Sequence, residues 1–329
     1  MATATVPNVR ERLRLDKVPP VYWILAVVLA LAVILDLLFA HGQILSSGEI
    51  FANMLVRSVA LGIVAVGQTF VMIGGSIDLS VAYMVSVTAV MASFMMQGDE
   101  SRVPQAILVV LVIGVVVGLI NGLIITKLQV NALIATLGVG LVLKGLLNAS
   151  FENFAGAVPR SFQWFGYGQI GPVPASVIIL VAVYAIGAFI LAKTRFGAQL
   201  YAVGGNREVA RLSGLRTDRT LIVAHILCSI TAVLTGLFVV SRLRSGAPWV
   251  GPDGVYDLES IAAVVVGGTA ISGGRGAMLG TLAGVLIFGV LDTMFNQLQV
   301  DAFLKLVLRG AIIILAVASY TLRSRREPA

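Results

Sequence analysis

The chain has 329 residues, of which 58% are hydrophobic and only 12% are charged, and its formal net charge is +7. In soluble domains about a quarter of all residues are charged, so this composition excludes an ordinary soluble globular protein. The single cysteine, Cys228, excludes an internal disulfide and a cysteine-based zinc cluster. His41 and His225 are too far apart in sequence to show a metal-ligand spacing. We expect each histidine to lie between helices or at the membrane interface, and we predict no metal site.

Long apolar runs dominate the chain from residue 20 onwards. A helix of about 20 apolar residues crosses a bilayer. Cutting the sequence at charges, prolines and glycine pairs predicts spans at residues 20–40, 54–74, 80–97, 104–126, 130–148, 174–192, 220–241, 257–272, 277–298 and 302–322. The first run is longer than the apolar part of a signal peptide, so we predict that it stays as a span. The fold class is therefore all-α: a polytopic membrane protein with about ten transmembrane helices.

Basic residues collect in alternate connections between the predicted spans. By the positive-inside rule, this pattern places the N-terminal segment 1–19, the segment 193–219 and the basic tail 323–329 in the cytoplasm, around one transmembrane domain at 20–322. A basic protein can also bind nucleic acid, but topology explains the spread of the charges over short loops. We therefore expect membrane lipid, and no nucleic acid, around this chain.

The stretch from Phe196 to Arg219 is the one substantial polar interruption among the apolar runs. Its central part has the pattern of a short capped helix, because Asn206 can cap, Glu208 and Arg211 suit the two ends of the helix dipole, and Gly214 can end the helix. Two interpretations stay open: a docking surface for another protein, or a basic loop that only orients the chain. The residues of the possible docking helix are Gly205, Asn206, Arg207, Glu208, Val209, Ala210, Arg211, Leu212, Ser213 and Gly214.

A short sequence repeat relates the two halves of the chain. Residues 128–134 read LQVNALI and residues 298–304 read LQVDAFL, and Gly140 and Gly310 follow at matching distances. Many transporters consist of two related halves. We predict such a repeat here, with the fifth span matching the tenth.

Polar residues inside apolar surroundings are the candidates for a transport path. Asp78 lies in the glycine-rich connection 74–84, where it can cap the next helix beside Ser80 or can act as a proton or substrate carboxylate. Asp292 and Arg309 can pair across helices or can line a polar route. The candidate path or gating residues are Asp78, Asn121, Asn131, Thr136, Asn148 and Asp292; each of the uncharged ones can equally be a contact between helices.

The second glycine-rich stretch, residues 267–284, contains no GxxxxGK[ST] motif, and none occurs elsewhere in the chain. The spacing of Gly276, Gly280 and Gly284 instead indicates close helix packing. We therefore expect no nucleotide hydrolysis by this chain.

Four segments together resemble the membrane permease subunits of ribose-type ATP-binding-cassette sugar importers. They are SIDLSV at 76–81, ALIATLGVGLVLKG at 132–145, FGAQLYAVGGNREVARLSGL at 196–215 and VVVGGTAISGGRGAMLGTLAGVLIFGVLDTMF at 264–295. The resemblance covers most of the chain between residues 53 and 323. The chain differs from the usual family pattern at Ser76 and Ala82, where glycine is common, and at Lys144, where arginine is common.

The resemblance implies a permease of the bacterial cytoplasmic membrane with about ten spans and both termini inside. It implies three partners: a cytoplasmic ATPase docked on the helix at 206–213, a periplasmic or extracellular solute-binding protein, and a second permease subunit that is either an identical copy or a paralogue. ATP is then used by the ATPase, and this chain needs no cofactor and is no enzyme. The implied cargo is a monosaccharide, a sugar alcohol or a related small polar solute.

Two alternatives to sugar import stay open. One is a permease of the same superfamily for branched-chain amino acids or nucleosides. The other, from a different class, is a channel or an ion-driven secondary transporter.

Overall fold

A computed structural model describes residues 19–39 and 48–324, so His41, most of the segment 1–19 and most of the basic tail lie outside the described residues. The described part is almost entirely helical. Its helices are α1 (Pro20–Phe39), α2 (Gly48–Ile73), α3 (Val81–Met96), α4 (Val103–Lys127), α5 (Ala132–Ser150), α6 (Trp164–Tyr167), α7 (Ala175–Lys193), α8 (Arg195–Gly205), α9 (Arg207–Leu212), α10 (Thr217–Leu243), α11 (Val250–Asp253), α12 (Tyr256–Val266), α13 (Met278–Gln297) and α14 (Ala302–Ser324). A 3-10 turn, Glu100–Arg102, precedes α4, and two short antiparallel strands, β1 (Gln169–Ile170) and β2 (Val173–Pro174), lie between α6 and α7.

Six helices within residues 19–39 and 48–324 contain stretches long and apolar enough to cross a membrane, in α2, α4, α5, α7, α10 and α13. Residues 20–34 of α1 and all of α3 form shorter apolar helices. The all-α polytopic fold is thus confirmed, while the number ten stays a prediction. The eighth predicted span, 257–272, is wrong as a continuous helix, because α12 has 11 residues and ends before Gly267. Eleven residues rise only about 16 Å, roughly half of the hydrocarbon thickness.

Helix α10 lies at the centre of the bundle, where it packs against α2, α3 and α4. Its contact with α4 follows three glycines, Gly114, Gly118 and Gly122, which recur every fourth residue along one face of α4. A Cβ atom at Gly118 would lie 2.5 Å from the Cα atom of Ile226 in α10. Small residues let helix backbones approach each other in a membrane, so these glycines determine how deeply α10 is buried.

The predicted small-residue contact at residues 276–284 is confirmed at two of its three glycines. Gly280 and Gly284 of α13 lie against the backbone of α12, where side chains would overlap the carbonyl oxygens of Gly267 and Ala263. Gly276 does not take part in this helix contact, since it precedes the first residue of α13.

The packing of the helices supports the predicted repeat. Helix α10 packs on α4 and α3, and α2 correspondingly packs on α13 and α12; α3 contacts α4 and α5, and α12 contacts α13 and α14. The two LQV segments also have the same local conformation. Gln129 and Gln299 both have positive φ angles, of 56° and 50°, and the next polar residue in each segment accepts a backbone N–H two residues later. These correspondences match α5 with α14, as the fifth and tenth predicted spans.

Candidate functional site

The polar interruption after α7 folds as two consecutive helices, α8 and α9. Helix α9 has the capped form that the sequence predicts, although it has six residues rather than about eight. The Asn206 side chain accepts hydrogen bonds from the backbone N–H groups of Glu208 (3.1 Å) and Val209 (3.0 Å). Gly214 has a φ angle of +83°, which strains residues with a side chain, and the N–H of Leu215 donates to the Ala210 carbonyl at 3.1 Å to close the helix. The local sequence therefore determines both ends of α9.

One face of α9 is exposed and apolar. The side chains of Val209 and Leu212 are 57% and 76% exposed, whereas Ala210 is buried against Val203 and Leu221. Glu208 and Arg211 pair beside this face at 2.6 Å. Their hydrogen bond lowers the pKa of the Glu208 carboxyl and raises the pKa of the Arg211 guanidinium. A short helix that exposes an apolar ridge between charges is a surface suited to a partner.

Helix α8, which the sequence analysis did not separate from the polar segment, attaches α9 to the bundle. Leu200 and Val203 on its inner face are buried, and the Tyr201 hydroxyl donates a 2.7 Å hydrogen bond to the Gly276 carbonyl. Near its end, a side chain on Gly204 would overlap the carbonyl oxygen of Ile73, the last residue of α2.

Backbone meets backbone where α8 ends. Gly75, Gly204, Gly273 and Gly274 form this contact, here called the glycine junction. Cβ atoms at Gly273 and Gly274 would each lie within 2.8 Å of the neighbouring glycine backbones, and the N–H of Gly274 donates to the Ile73 carbonyl at 2.8 Å. The junction therefore joins α8 and α9 directly to both glycine-rich turns of the chain, at residues 74–80 and 267–277.

The first of these turns carries Asp78 into a fully buried polar cluster. Oδ1 of Asp78 accepts hydrogen bonds from the backbone N–H and the hydroxyl of Ser80, and Oδ2 lies 3.2 Å from the Nδ2 atom of Asn121 on α4. Oδ2 also lies 3.1 Å from Nδ1 of His225 on α10. The carboxylate thus has donors from three segments, which is the condition for burying a charge in a membrane.

His225 extends this cluster towards the surface. Its Nε2 atom lies 2.9 Å from the hydroxyl oxygen of Ser76. Because a carboxylate only accepts, Nδ1 donates to Asp78, and in a neutral ring Nε2 accepts the Ser76 hydroxyl proton. The tautomer follows from these partners.

The expectation that Asp78 caps α3 is wrong in detail. The residue before α3 is Ser80, whose own side chain makes no cap hydrogen bond, and the backbone N–H group that Asp78 accepts is that of Ser80 rather than one inside the helix. Thr136 of α5 also reaches this turn, since its hydroxyl oxygen accepts the N–H of Leu79 at 3.0 Å. Asp78, Asn121 and Thr136, three of the predicted path residues, therefore meet at one turn.

A polar cavity of about 1080 Å³ opens beside this cluster. The residues that line it come from the turn at 74–76, the end of α4, the segment at 129–132, the junction of α8 with α9, and the start of α10. Two charged residues on its wall pair with each other, since Asp218 accepts from Arg207 at 3.0 Å, and Asp218 also accepts from Lys127 at 2.7 Å. Ser76 lines the cavity and bonds His225, so the cavity and the buried cluster share a wall.

The remaining path candidates do not join the buried cluster of Asp78. Asn131 caps α5 and is exposed, and Asn148 lies beside a separate surface cavity near Trp249. Asp292 lies near the C-terminal end of α13 and close to the N-terminal half of α2. Arg309 donates to it at 2.6 Å, and Arg57 of α2 approaches it to 3.6 Å.

Arg309 also lies 3.2 Å from the carboxylate of Glu259, a nearly buried residue that the sequence analysis did not single out. The structure thus shows Asp292 and Arg309 as a pair, which is one of the two alternatives for these residues. The structure does not bring this ion cluster together with Asp78.

Comparison with known proteins identifies the family. Residues 50–317 match the model of the branched-chain amino acid transport system / permease component family. The chain belongs to this permease family. It is 36% identical over 274 residues to the ribose import permease protein RbsC of Escherichia coli strain K12, covering 80% of this chain and 83% of that protein.

Two further relatives of this permease are similar to it. The ribose import permease protein RbsC of Bacillus subtilis strain 168 is 38% identical over 267 residues, covering 80% of this chain and 82% of that protein. The galactose/methyl galactoside import permease protein MglC of Escherichia coli strain K12 is 33% identical over 328 residues, covering 93% of this chain and 95% of that protein. No solved structure matches the chain. The resemblance to importer permeases inferred from the sequence motifs is thus confirmed.

Sequence reasoning missed several residues of this permease that the structure brings to the cavity and its neighbouring cluster. His225 was expected to lie between helices or at the membrane interface, and neither Asp218, on the cavity wall, nor its partner Lys127 was among the candidate site residues. One signal for His225 was present in the sequence, since a histidine inside an apolar run of a membrane protein needs a buried polar partner.

Proposed function

We propose that this permease forms half of the membrane pathway of an ATP-driven importer for a monosaccharide, a sugar alcohol or a related small polar solute. The observation that carries the proposal is the continuous connection from the exposed ridge of α9, through the glycine junction, to the turn that carries Asp78 and lines the cavity with residues 74–76. Relatives named for ribose and galactose import, at 33–38% identity over most of the chain, support the sugar class.

The permease acts with three partners. A cytoplasmic ATPase binds α9 through Val209 and Leu212, a solute-binding protein delivers the cargo on the opposite side, and a second permease subunit completes the pathway. This assignment places α8, α9 and both termini in the cytoplasm of a bacterial cell, in agreement with the distribution of basic residues. The chain carries out no covalent chemistry and holds no cofactor, because ATP is hydrolysed on the ATPase.

Coupling follows from how α9 is attached. When ATP draws the ATPase subunits together, α9 moves, and α8 moves with it because Ala210, Val203 and Leu221 form one packed cluster. The glycine backbones at the junction are in direct contact, so α8 cannot move without moving its neighbours. The displacement therefore reaches the turns at 74–80 and 267–277. These turns adjoin the cavity. Each turn has one position in the inward-open packing of the helices and another in the outward-open packing, and ATP shifts the populations of the two packings.

Reconstitution tests this proposal. The permease, its ATPase and its solute-binding protein are assembled in liposomes, and uptake of radiolabelled ribose and galactose is measured with and without ATP. We expect uptake that requires ATP, the ATPase and the binding protein together. Uptake that continues at the same rate without the ATPase would indicate a channel or secondary transporter and would overturn the proposal.

A second candidate cargo, a branched-chain amino acid, is favoured by the description of the matching family. The solute-binding protein separates the two candidates, since the permease passes what that protein delivers. A thermal-shift screen of the binding protein against ribose, galactose and leucine gives the answer: stabilisation by leucine alone would replace the sugar assignment.

A further inference from the structure

Another cavity, of about 360 Å³, lies between α8 and the start of α10. Its wall has an apolar part, formed by Phe196, Leu215 and Val223, and a polar part, formed by Gln199, Arg216 and Arg219. The Phe196 ring packs against Phe70 with 6.2 Å between ring centroids, which fixes the apolar part of the wall on α2. This cavity is here called the arginine groove.

The arginine groove lies at the boundary of the hydrocarbon layer. Helix α7 ends at Lys193, just before α8, and helix α10 begins at Thr217, so two apolar spans end beside the groove. Val223 lies about 9 Å along α10 from its first residue, on the apolar side of this boundary. A molecule in the groove therefore meets cations at one end and an apolar wall at the other.

The positive charge at the groove is not neutralised within the described part of the chain. The acids near it already have other partners, because Asp218 pairs with Lys127 and Arg207 and Glu208 pairs with Arg211. Arg216 and Arg219 are exposed and form no ion pair with any carboxylate of residues 19–39 and 48–324. Lys193 and Arg195 flank the groove in sequence and add to the same charge.

From these observations we infer that the arginine groove binds one anionic phospholipid, with its phosphate headgroup on Arg216 and Arg219 and an acyl chain along Phe196, Leu215 and Val223. Basic pockets at the ends of transmembrane helices attract anionic headgroups, and each cation near the surface contributes about 1 kcal/mol. A protein partner fits the arginines, whereas the apolar wall continues to Val223, which lies within the apolar run of α10. Lipid is therefore the occupant that uses the whole groove.

Native mass spectrometry of the purified full-length permease in detergent measures the binding. Phosphatidylglycerol and phosphatidylcholine with the same acyl chains are titrated separately, and glycerol 3-phosphate is the soluble headgroup probe. We expect one tightly bound phosphatidylglycerol, much weaker binding of phosphatidylcholine, and no competition by glycerol 3-phosphate at equal concentration. Equal binding of the two lipids, or full competition by glycerol 3-phosphate, would overturn the inference.

Variants locate the site. The double variant Arg216→Gln/Arg219→Gln should weaken phosphatidylglycerol binding by roughly thirtyfold, the effect of removing two such cations. The matched control Arg160→Gln/Arg275→Gln removes the same charge from two other exposed arginines that do not line the groove, and should bind as the wild type does. Unchanged binding in the first variant, or an equal loss in the control, would overturn the site.

Two further measurements separate the possible causes. Val223→Trp fills the apolar end and keeps both arginines, so it should weaken lipid binding while the elution volume of the folded protein stays unchanged. Co-purification of the ATPase in detergent without added lipid should not depend on Arg216 and Arg219. If the arginine variant loses the ATPase while keeping phosphatidylglycerol, the arginines belong to protein docking and the lipid site is wrong.

Discussion

Nδ1 of His225 lies 3.1 Å from Oδ2 of Asp78, although 147 positions separate the two residues in the chain and both side chains are fully buried. The contact ties the turn after α2 to α10, the central helix of the bundle. It holds one of the two turns that meet α8 at the glycine junction. If this turn moves relative to α10, the contact between Asp78 and His225 must therefore break, or both side chains must move to keep it.

The first prediction concerns the energy of this contact. Asp78→Asn and His225→Leu each leave a buried polar group with a lost partner, and each should lower the free energy of unfolding by about 3 kcal/mol. The double variant should cost at least 1 kcal/mol less than the sum of the two. Denaturant unfolding of the permease in detergent, followed by tryptophan fluorescence, measures the cycle.

Additive effects in that cycle would contradict a direct coupling between the two residues. Asp78→Asn also separates a structural role from transport chemistry. If Asp78 also carries a proton or contacts the solute, the folded variant loses uptake completely, whereas a purely structural role leaves the folded variant active.

The second prediction concerns the glycine junction and uses two neighbouring glycines. A methyl group on Gly204 overlaps the Ile73 carbonyl oxygen, whereas a methyl group on Gly205 meets no atom within 4 Å. Gly204→Ala should therefore displace α8 from the turns and lower ATP-dependent uptake at least tenfold, with a stability loss of about 1–3 kcal/mol. Gly205→Ala should transport normally. Uptake in reconstituted liposomes decides, and equal activity of the two variants would remove the junction from the coupling route.

Local sequence patterns predicted those parts of this site whose structure depends on residues close together in the sequence. Asn206 and Gly214 determine the ends of α9 through hydrogen bonds within a few residues, so the short helix could be read directly from the sequence. The apolar runs likewise predicted most of the long helices. Helix α8 was missed because its glycines and polar residues obscure the pattern of its buried apolar side chains, Leu200 and Val203.

Contacts between distant segments could not be predicted in this way. Nothing near His225 in the sequence points to Asp78, and the approach of Gly204 to Ile73 exists only after α2 and α8 have packed. The early end of α12 is a further case, since the run from 257 to 272 is apolar enough for a span. The positive φ angle of Gly268, at 90°, breaks the helix there, and composition alone does not show this.

The third prediction tests how α10 is held in the bundle. Gly118→Leu places a side chain into the backbone of α10, where even a Cβ atom is 2.5 Å from the Cα atom of Ile226. It should prevent folding or lower the free energy of unfolding by 3 kcal/mol or more. Gly138→Leu in α5, where a Cβ atom meets nothing within 4 Å, is the control and should leave the stability of the isolated subunit unchanged or slightly higher. Thermal melting in detergent compares the two, and similar melting temperatures would show that α4 and α10 do not depend on close approach.

The fourth prediction concerns the exposed ridge of α9. The Leu212 side chain is 76% exposed, so Leu212→Ser should leave the melting temperature unchanged. Because burial of a leucine side chain contributes about 1.5–3 kcal/mol, the same substitution should weaken ATPase binding by roughly tenfold to a hundredfold. Leu128→Ser is the matched control, since Leu128 is 70% exposed but lies outside α9. Co-purification and surface plasmon resonance with the ATPase measure the difference, and an equal effect of the two substitutions would show that the ATPase does not recognise α9 in particular.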